Sequence, residues 1–363
     1  MNRKLVGDWI WPLVVFSALA FVPKLNVSIP KLFDQPLSSP GTLTLIAACL
    51  VFAGLALSYD IQFGFTGLLS FGHALYIAIG VYLSNIAITD WHWSFWEAIA
   101  FTMGVAFVLA NVLGFVSLRV SGIAFAMVTL AFAQAGNVLA LKDPHHWTHG
   151  EEGLGADYTR LPHAFVGIVN TKNLYWLALA FAAVVFFVVR WATESSPGRV
   201  WQAIRENEMR VEVLGLRPHA YKLQAFVLSS VLAAAGGIVY MLLYNGSTLG
   251  VTEPTFTLTL LLMVVIGGAG SRWGAVLGGI LYTYLDDRLV AIGSSSAVHG
   301  LPNALRTPLE QPLFLLGIAF ILIVVFLPGG IAGLVARGRP TGLRRLEEAV
   351  RTTPTVTEPQ EEA

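Results

Sequence analysis

Long stretches of this chain, such as 41–59 and 98–118, contain no charged side chain. A helix needs about 20 apolar residues to cross the hydrocarbon of a bilayer, because no water is there to pair its backbone N–H and C=O groups. Charged residues make up 12% of the sequence and hydrophobic residues 55%, whereas soluble domains carry about 25% charged residues. The composition excludes a soluble enzyme and a disordered chain. The formal net charge of zero also excludes a nucleic-acid binder.

The spacing of the charges predicts an all-α fold, a polytopic transmembrane helical bundle of about ten crossings. We place the crossings at 9–22, 41–59, 73–88, 98–118, 120–141, 174–189, 223–243, 254–271, 273–285 and 312–327. We expect residues 1–336 to form one membrane domain. Residues 337–363 are rich in Arg, Glu, Thr and Pro and are predicted to be a disordered cytoplasmic tail.

The distribution of basic residues predicts the orientation. If the N-terminus is cytoplasmic, 15 of the 22 Lys and Arg residues fall in cytoplasmic segments. Because cytoplasmic loops carry an excess of Lys and Arg, both termini are predicted to be cytoplasmic. The basic start and the small residues 18–20 are also typical of a cleaved secretory signal. We expect the first helix to be retained.

The predicted crossings contain no charge in their interiors. Asp60, His73 and Arg119 fall at predicted ends, where we expect the membrane interface to hydrate them. The pattern gives no sign that an ion gradient is used, since proton-coupled carriers and pumps normally place Asp, Glu or His inside a span. A channel or secondary carrier that works alone is the second hypothesis. The pattern also gives little support to a membrane-embedded enzyme, for which His73 and Asp60 would be the acid/base pair. The sequence has no Gly-x-x-x-x-Gly-Lys-Ser/Thr loop for nucleotide phosphates. Any energy for uphill transport must therefore come from another subunit.

A dense group of candidate metal ligands lies in the predicted outer loop 142–172. The group lacks the spacing of a zinc site, so we expect a solvated loop. Its members are His145, His146, His149, Glu151 and Glu152.

The charged stretch 190–222 predicts an amphipathic helix over about 196–215 on the cytoplasmic side. Ser196 is a plausible N-cap, Pro197 suits the first turn, and Gly215 can end the helix in the left-handed conformation. We expect one apolar face and one i,i+4 ion pair. The face comprises Val200, Ile204, Val211 and Leu214, with Trp201 beside it, and the pair is Glu206 with Arg210. Such a helix could bind lipid, pack under the bundle or dock on a protein partner. The net charge of the stretch is small, which favours the partner.

Two glycine-rich breaks, 64–73 and 267–274, interrupt the apolar pattern. The pair Tyr82-Leu83 follows Gly72 at the same distance as Tyr284-Leu285 follows Gly274, which indicates a weak parallel repeat. Paired breaks in two halves of a membrane protein favour a translocation path lined by unwound backbone. The alternative is tight helix packing through glycines.

Several blocks of the sequence resemble one known family. Residues 64–74 read Gly-Phe-Thr-Gly-Leu-Leu-Ser-Phe-Gly-His-Ala, and residues 261–268 read Leu-Leu-Met-Val-Val-Ile-Gly-Gly. Together with 57–60, 129–134, 198–208, 214–215 and 222–226, these blocks resemble the LivM-type permease of bacterial branched-chain amino acid ABC importers over about 41–330.

The resemblance implies a transport subunit, not an enzyme, in the bacterial inner (plasma) membrane. It implies a second LivH-like permease, two ATPase subunits that bind ATP and Mg²⁺, and an extracellular solute-binding protein. No cofactor and no metal is then expected in this chain. The segment 203–215 stands where the family's coupling helix docks on an ATPase. The residues carried over are Ala203, Ile204, Arg205, Glu206, Asn207, Glu208, Leu214 and Gly215.

The glycine breaks and the fifth span supply the candidate translocation path. Its predicted residues are Thr66, Gly67, Ser70, Gly72, His73, Thr129, Gln134, Gly267 and Gly268. The segment 148–154 keeps only part of the pattern that related permeases have after the fifth span, so the docking of the binding protein, or the cargo, can differ from theirs. We expect branched-chain or other hydrophobic amino acids as cargo, and urea or short amides as the alternative.

Overall fold

The computed structural model describes residues 3–24, 35–165, 167 and 170–293, and 314–315, 317–318, 320–321, 326 and 329–337 of the C-terminal part. Helices, strands and contacts are given for these residues. The predicted tenth crossing, 312–327, lies largely outside them, and so does the predicted tail beyond residue 337.

The described part is almost entirely helical, which confirms the predicted all-α class. Two short strands, β1 (Leu154–Gly155) and β2 (Gly246–Ser247), form one antiparallel pair. The helices are α1 (Arg3–Ala20), α2 (Pro40–Asp60), α3 (His73–Ala78), α4 (Ser84–Thr89), α5 (Phe95–Ser117), α6 (Ile123–Lys142), α7 (Thr171–Glu194), α8 (Ser196–Glu206), α9 (Glu208–Val213), α10 (Pro218–Tyr244), α11 (Pro254–Gly267), α12 (Arg272–Gly293) and α13 (Gly330–Arg337). A π-helical turn extends α2 over Ile61–Phe65, and another joins α3 to α4 over Ile79–Leu83.

Local sequence sets many of the helix ends. Ser39 caps α2 by accepting from the Thr42 backbone N–H at 3.4 Å, ahead of Pro40. Glu97 reaches back to the backbone N–H of Ser94 at 3.0 Å at the start of α5. Such bonds satisfy N–H groups that have no partner inside the helix.

Five described helices are long and apolar enough to cross a bilayer, which supports five of the ten predicted crossings. They are α2 with its π-helical turn, α5, α6, α7 and α10. The apolar helices 11–24 and 73–89 are shorter. Helices α11 and α12 meet at a bend of 120° and pass the same test only together. The full count of ten stays a prediction.

Two groups of contacts between distant segments lie at opposite ends of the bundle. One group, the α8 end, includes the bond from Arg205 to the Gly64 carbonyl oxygen and the contact of His219 Nδ1 with the Leu118 carbonyl oxygen at 3.3 Å. The other, the β-pair end, contains β1, β2 and the bond from Arg160 to the His92 carbonyl oxygen. Helix α5 connects the two groups and is about 34 Å long at 1.5 Å per residue.

The long helices run alternately between these ends. Helices α2, α5, α7 and α11 finish at the α8 end, whereas α6, α10 and α12 start there. The alternation agrees with the crossing order predicted from sequence.

Helix α2 lies at the centre and packs against α7, α10, α11 and α12. Glycines let these backbones approach closely. A Cβ on Gly237 of α10 would overlap the Ile77 carbonyl oxygen of α3, and one on Gly279 of α12 would lie 2.7 Å from the Cα of Ala53. Helices α5 and α6 instead expose large apolar side chains such as Phe107 and Ile123. That surface suits lipid or another membrane protein.

Candidate functional site

The segment predicted as one amphipathic helix forms two helices, α8 and α9, which meet at Asn207. The Asn207 backbone is extended, with φ −163° and ψ 103°, and its Oδ1 accepts from the Arg210 backbone N–H at 3.1 Å. The prediction of a continuous helix was therefore wrong. An Asn side chain that competes for backbone N–H groups favours a cap over a helix interior.

The predicted ends of this segment are nearly right. The N-cap is Ser195, one residue before the predicted Ser196, and Gly215 ends α9 in the left-handed region at φ +79°. The N–H groups of Gly215 and Leu216 donate to the carbonyl oxygens of Glu212 and Val211 at 2.8 and 3.3 Å. These two bonds make a Schellman motif.

One face of α8 and α9 packs against the bundle. Trp201, Ile204 and Val211 are buried, and Trp201 Nε1 donates to the Tyr221 carbonyl oxygen at 2.9 Å. Lys222 at the start of α10 pairs with Glu208. Packing, one of the three roles left open by the sequence, is therefore confirmed for this face.

The opposite face of α9 is apolar and exposed. Met209 is 73% exposed, Val213 83% and Leu214 77%. The prediction that Leu214 shares the buried face with Val211 was wrong, because Leu214 lies beyond the last residue of α9, at its C-cap, where the side chain is exposed. The break at Asn207 separates Glu206 from Arg210, which form no ion pair in the described structure.

Arg205 of α8 joins both glycine breaks at the α8 end. Its Nη1 donates to the Gly64 carbonyl oxygen in the first break. In the second break, a Cβ on Gly270 would lie 2.5 Å from the same nitrogen. A Cβ on Gly64 would overlap both the Gly270 nitrogen and Asp60 Oδ1. We call these four residues, Arg205, Gly64, Gly270 and Asp60, the junction.

Asp60 is a fully buried member of this junction. Its Oδ1 accepts from the Gly270 backbone N–H at 2.9 Å, and its Oδ2 has no hydrogen-bond partner among the described residues. The expectation that interfacial water hydrates Asp60 was wrong, because the second break folds over it. His73 is also fully buried, with Nε2 3.0 Å from Ser58 Oγ. The sequence places both residues at helix ends, but it does not show which distant segments pack over those ends.

The first break is held by side chains from three other helices. The Phe71 backbone N–H donates to Thr129 Oγ1 of α6 at 3.1 Å, and the Ala74 N–H donates to Thr257 Oγ1 of α11 at 2.8 Å. Tyr59 of α2 donates to the Ser70 carbonyl oxygen at 2.9 Å. Non-helical backbone in a membrane domain needs such partners because lipid supplies none.

The second break is an example of close glycine packing. A Cβ on Gly267 would overlap the Gly274 carbonyl oxygen, and one on Gly278 would overlap that of Met263. Gly268 has φ +108°, a conformation that side chains rarely adopt. Tight helix packing, the alternative kept open from sequence, therefore explains these glycines.

The structure brings seven of the nine candidate path residues together around the two breaks. Gln134 lies apart on the exposed side of α6, and Gly67 is exposed beside Arg205. The others are buried around the two breaks, namely Thr66, Ser70, Gly72, His73, Thr129, Gly267 and Gly268.

Two cavities lie at opposite ends of the bundle. A polar cavity of about 360 Å³ at the α8 end is lined by residues that include Glu194, Gln202 and Arg272. An apolar groove of about 460 Å³ between α3–α4, α5 and α6 reaches Asp143 and Thr148 near the β-pair end. None of the nine candidate path residues lines either cavity.

Sequence reasoning missed Ser58, Gln62 and Thr257. All three are fully buried, and neither amide atom of the Gln62 side chain has a partner among the described residues. A signal was present, since each is a neutral polar residue inside an apolar run.

The candidate metal ligands of the histidine-rich loop are all exposed, which agrees with the predicted solvated loop. The described residues contain no group of three or more His, Cys, Asp or Glu side chains able to hold a metal. His145 lies against Trp147, with ring centroids 5.0 Å apart, and His146 Nδ1 lies 3.8 Å from Asp143 Oδ2.

Residues 41–335 match the family described as branched-chain amino acid transport system / permease component. The chain belongs to this family. It is an integral membrane protein, as its apolar helices also indicate. No solved structure matches it.

Individual relatives are more distant. The chain is 28% identical over 270 residues to the high-affinity branched-chain amino acid transport system permease protein LivM of Escherichia coli, and 27% identical to that of Salmonella typhimurium. Both alignments cover 67% of this chain and 62% of the relative. The autoinducer 2 import system permease protein LsrC of Shigella flexneri is 26% identical over 187 residues, or 50% of this chain and 49% of that protein.

Proposed function

We propose that this chain is the membrane-spanning permease subunit of an ATP-driven importer for branched-chain or other hydrophobic amino acids. The observation that carries the proposal is the segment α8–α9. It is fixed to the bundle by Trp201, contacts both glycine breaks through Arg205, and exposes an apolar face. Such a segment can transmit a displacement of a cytoplasmic partner to the membrane domain.

The proposed assembly contains a second LivH-like permease, two ATPase subunits that carry ATP and Mg²⁺, and an extracellular solute-binding protein. The α8 end and both termini then face the cytoplasm, as the excess of Lys and Arg favours. The nine candidate path residues remain a proposal for the route of the cargo. The names of the two LivM relatives support this assignment.

A permease for another small solute is the second candidate. The LsrC relative belongs to an autoinducer 2 import system, so likeness in this family does not fix the cargo. Urea and short amides belong to this alternative. A screen of the solute-binding protein against leucine and urea separates the two cargo classes.

The test is ATP-dependent uptake in proteoliposomes that hold the complete complex. We expect Leu214→Asp to lower uptake at least tenfold, because a charge on the exposed face disfavours docking; tenfold corresponds to about 1.4 kcal/mol. Gly215→Val, at φ +79°, is expected to act in the same direction through the backbone. Gly122→Ala is the control for a glycine at positive φ, since it lies outside this segment with nothing within 4 Å.

Two results would contradict the proposal. Uptake by the chain alone, without ATP or partners, would favour a channel or secondary carrier. Full substrate-stimulated ATPase activity and uptake in the Leu214→Asp complex would show that α9 does not dock on the ATPase.

A further inference from the structure

The junction brings one buried carboxyl group, that of Asp60, against Gly64 and Gly270, which are 206 residues apart in sequence. Asp60 ends α2 and accepts from Gly270 of the second break. Gly64 of the first break lies against both of these residues and accepts from Arg205. The four residues therefore join α2, both breaks and α8 at one point.

The hydrogen bond from Gly270 does not require the negative charge of Asp60. A neutral acceptor would satisfy the Gly270 N–H, whereas a fully buried carboxylate loses its hydration. Its Oδ2 has no hydrogen-bond partner in the described structure. An ionisable residue buried in a membrane protein is best explained by a charge close to it. The Arg205 guanidinium lies in the same junction, where Nη1 donates to the carbonyl oxygen of Gly64, the residue against which Asp60 Oδ1 packs.

Arg205 is suited to make and break this contact. The residue is exposed, and only its tip enters the junction, where Nη1 reaches the Gly64 carbonyl oxygen. A displacement of α8 withdraws the guanidinium without unpacking a buried side chain. The glycines leave room for this side chain. A Cβ on Gly67 would lie 3.2 Å from Cγ in the Arg205 stem, and a Cβ on Gly270 would lie 2.5 Å from Nη1 at the tip.

We propose that Asp60 is a positioning residue of the transport cycle, whose charge holds the Arg205 guanidinium between the two glycine breaks so that both breaks move with α8. This inference rests on the proposed function. It adds the residue of the membrane domain, Asp60, through which a movement of α8 reaches the two breaks. When Arg205 withdraws, Asp60 loses its counter-charge and the contact between the breaks loosens.

The experiment uses the complete complex with Asp60→Asn, Arg205→Met and the double variant. Asn keeps an oxygen for the Gly270 N–H and removes the charge, and Met keeps an unbranched stem and removes the guanidinium. Controls are Arg119→Met, an arginine at the same end whose guanidinium lies 5.0 Å over the Phe115 ring, and Asp286→Asn in α12. Uptake, substrate-stimulated ATPase activity and hydrogen exchange of both breaks are measured.

We expect each single variant to lower uptake about tenfold and to leave an ATPase activity that no longer responds to loaded binding protein. The double variant should lose no more than either single variant, because both act on one contact. Hydrogen exchange should become about tenfold faster in both 61–72 and 267–274. The controls should stay within about twofold of wild type in every measurement.

The outcomes separate the inference from the proposed function. If the wild-type complex shows no ATP-dependent uptake, the proposed function is wrong. If it does and Asp60→Asn matches the controls in uptake and exchange, Asp60 only accepts from Gly270 and the inference is overturned. If a variant inserts poorly, hydrogen exchange is still measured on the complex that can be purified. Unchanged hydrogen-exchange rates in 61–72 would also overturn the inference.

Discussion

At the β-pair end, the buried bonds that join distant segments are made by neutral groups. At the α8 end, charged side chains such as Arg205 and Glu194 join distant segments as well, beside neutral bonds such as that of Trp201. Asn85 donates to the Leu154 carbonyl oxygen at 2.7 Å and to Ser247 Oγ at 3.0 Å, and Asn137 donates to Thr252 Oγ1 at 2.7 Å. At the α8 end, Glu194 bridges Arg190 and Arg272 at 3.2 and 2.7 Å.

The difference indicates which end can move. Buried neutral bonds are costly to leave unmade, so the β-pair end should behave as a fixed clamp. Ion pairs at an exposed surface contribute little net free energy, because water and salt replace them readily. The α8 end can therefore rearrange while the opposite end holds the helices together.

The largest expected effect comes from Gly64→Ala at the α8 end. The added Cβ would overlap Asp60 Oδ1 and the Gly270 backbone, neither of which can move freely. We expect the free energy of unfolding in detergent to fall by about 3 kcal/mol, the upper range for overpacking. Gly104→Ala in α5 is the control, since nothing lies within 4 Å of its Cβ. Equal stability of the two variants would mean that the two breaks are not in close contact.

The clamp is tested by Asn85→Ala at the β-pair end. The change leaves the Leu154 carbonyl oxygen and Ser247 Oγ without their donor. We expect a loss of about 2 kcal/mol in the free energy of unfolding, independent of salt. Asn111→Ala is the matched control, because among the described residues Asn111 donates only to the Phe107 carbonyl oxygen of its own helix. A loss that disappears in concentrated salt would remove the distinction between the ends.

Glu194→Gln tests the ionic contacts of the α8 end. The Glu194 side chain is 41% exposed and that of Arg272 28%, so this pair is screened. The Arg190 side chain is only 7% exposed, and the amide oxygen of Gln can still accept from it. We expect a loss of about 0.5 kcal/mol at low ionic strength and none in about 1 M salt. The measurement is the thermal midpoint in detergent at both salt concentrations. A loss as large in high salt as in low salt would mean that packing, not charge, joins these segments.

The smallest effect is expected from Asp157 in the loop at the β-pair end. Hydrogen bonds from the Thr159 hydroxyl and backbone N–H lower the pKa of Asp157 from its ordinary value of 3.8. A lowered pKa stabilises the fold above the unfolded-state pKa, and this contribution is lost as the pH falls through the folded-state pKa.

We therefore expect Asp157→Asn to be slightly less stable than wild type at neutral pH, with a difference that narrows below pH 3.8. Thermal midpoints across the acid range provide the measurement. Thr159→Val should reproduce part of the effect by removing one donor. A difference that widens in acid would have the wrong sign for this account.

The sequence predicted the properties that depend on neighbouring residues. Uncharged apolar runs predicted the long helices, since a helix in lipid must pair its own backbone. Gly215 was predicted as a helix end because the left-handed conformation selects glycine locally. The family blocks predicted the permease family, which the match over 41–335 confirmed.

Only the tertiary structure decided how distant segments meet. Asp60 and His73 looked hydrated at helix ends, but the second break and neighbouring helices bury them. The role of the glycines in packing α11 against α12, and the meeting of both breaks at Arg205, also required the fold. Periodicity and caps describe the chain over a few residues, whereas the contacts at the junction form between segments far apart in the chain, where sequence spacing carries no distance information.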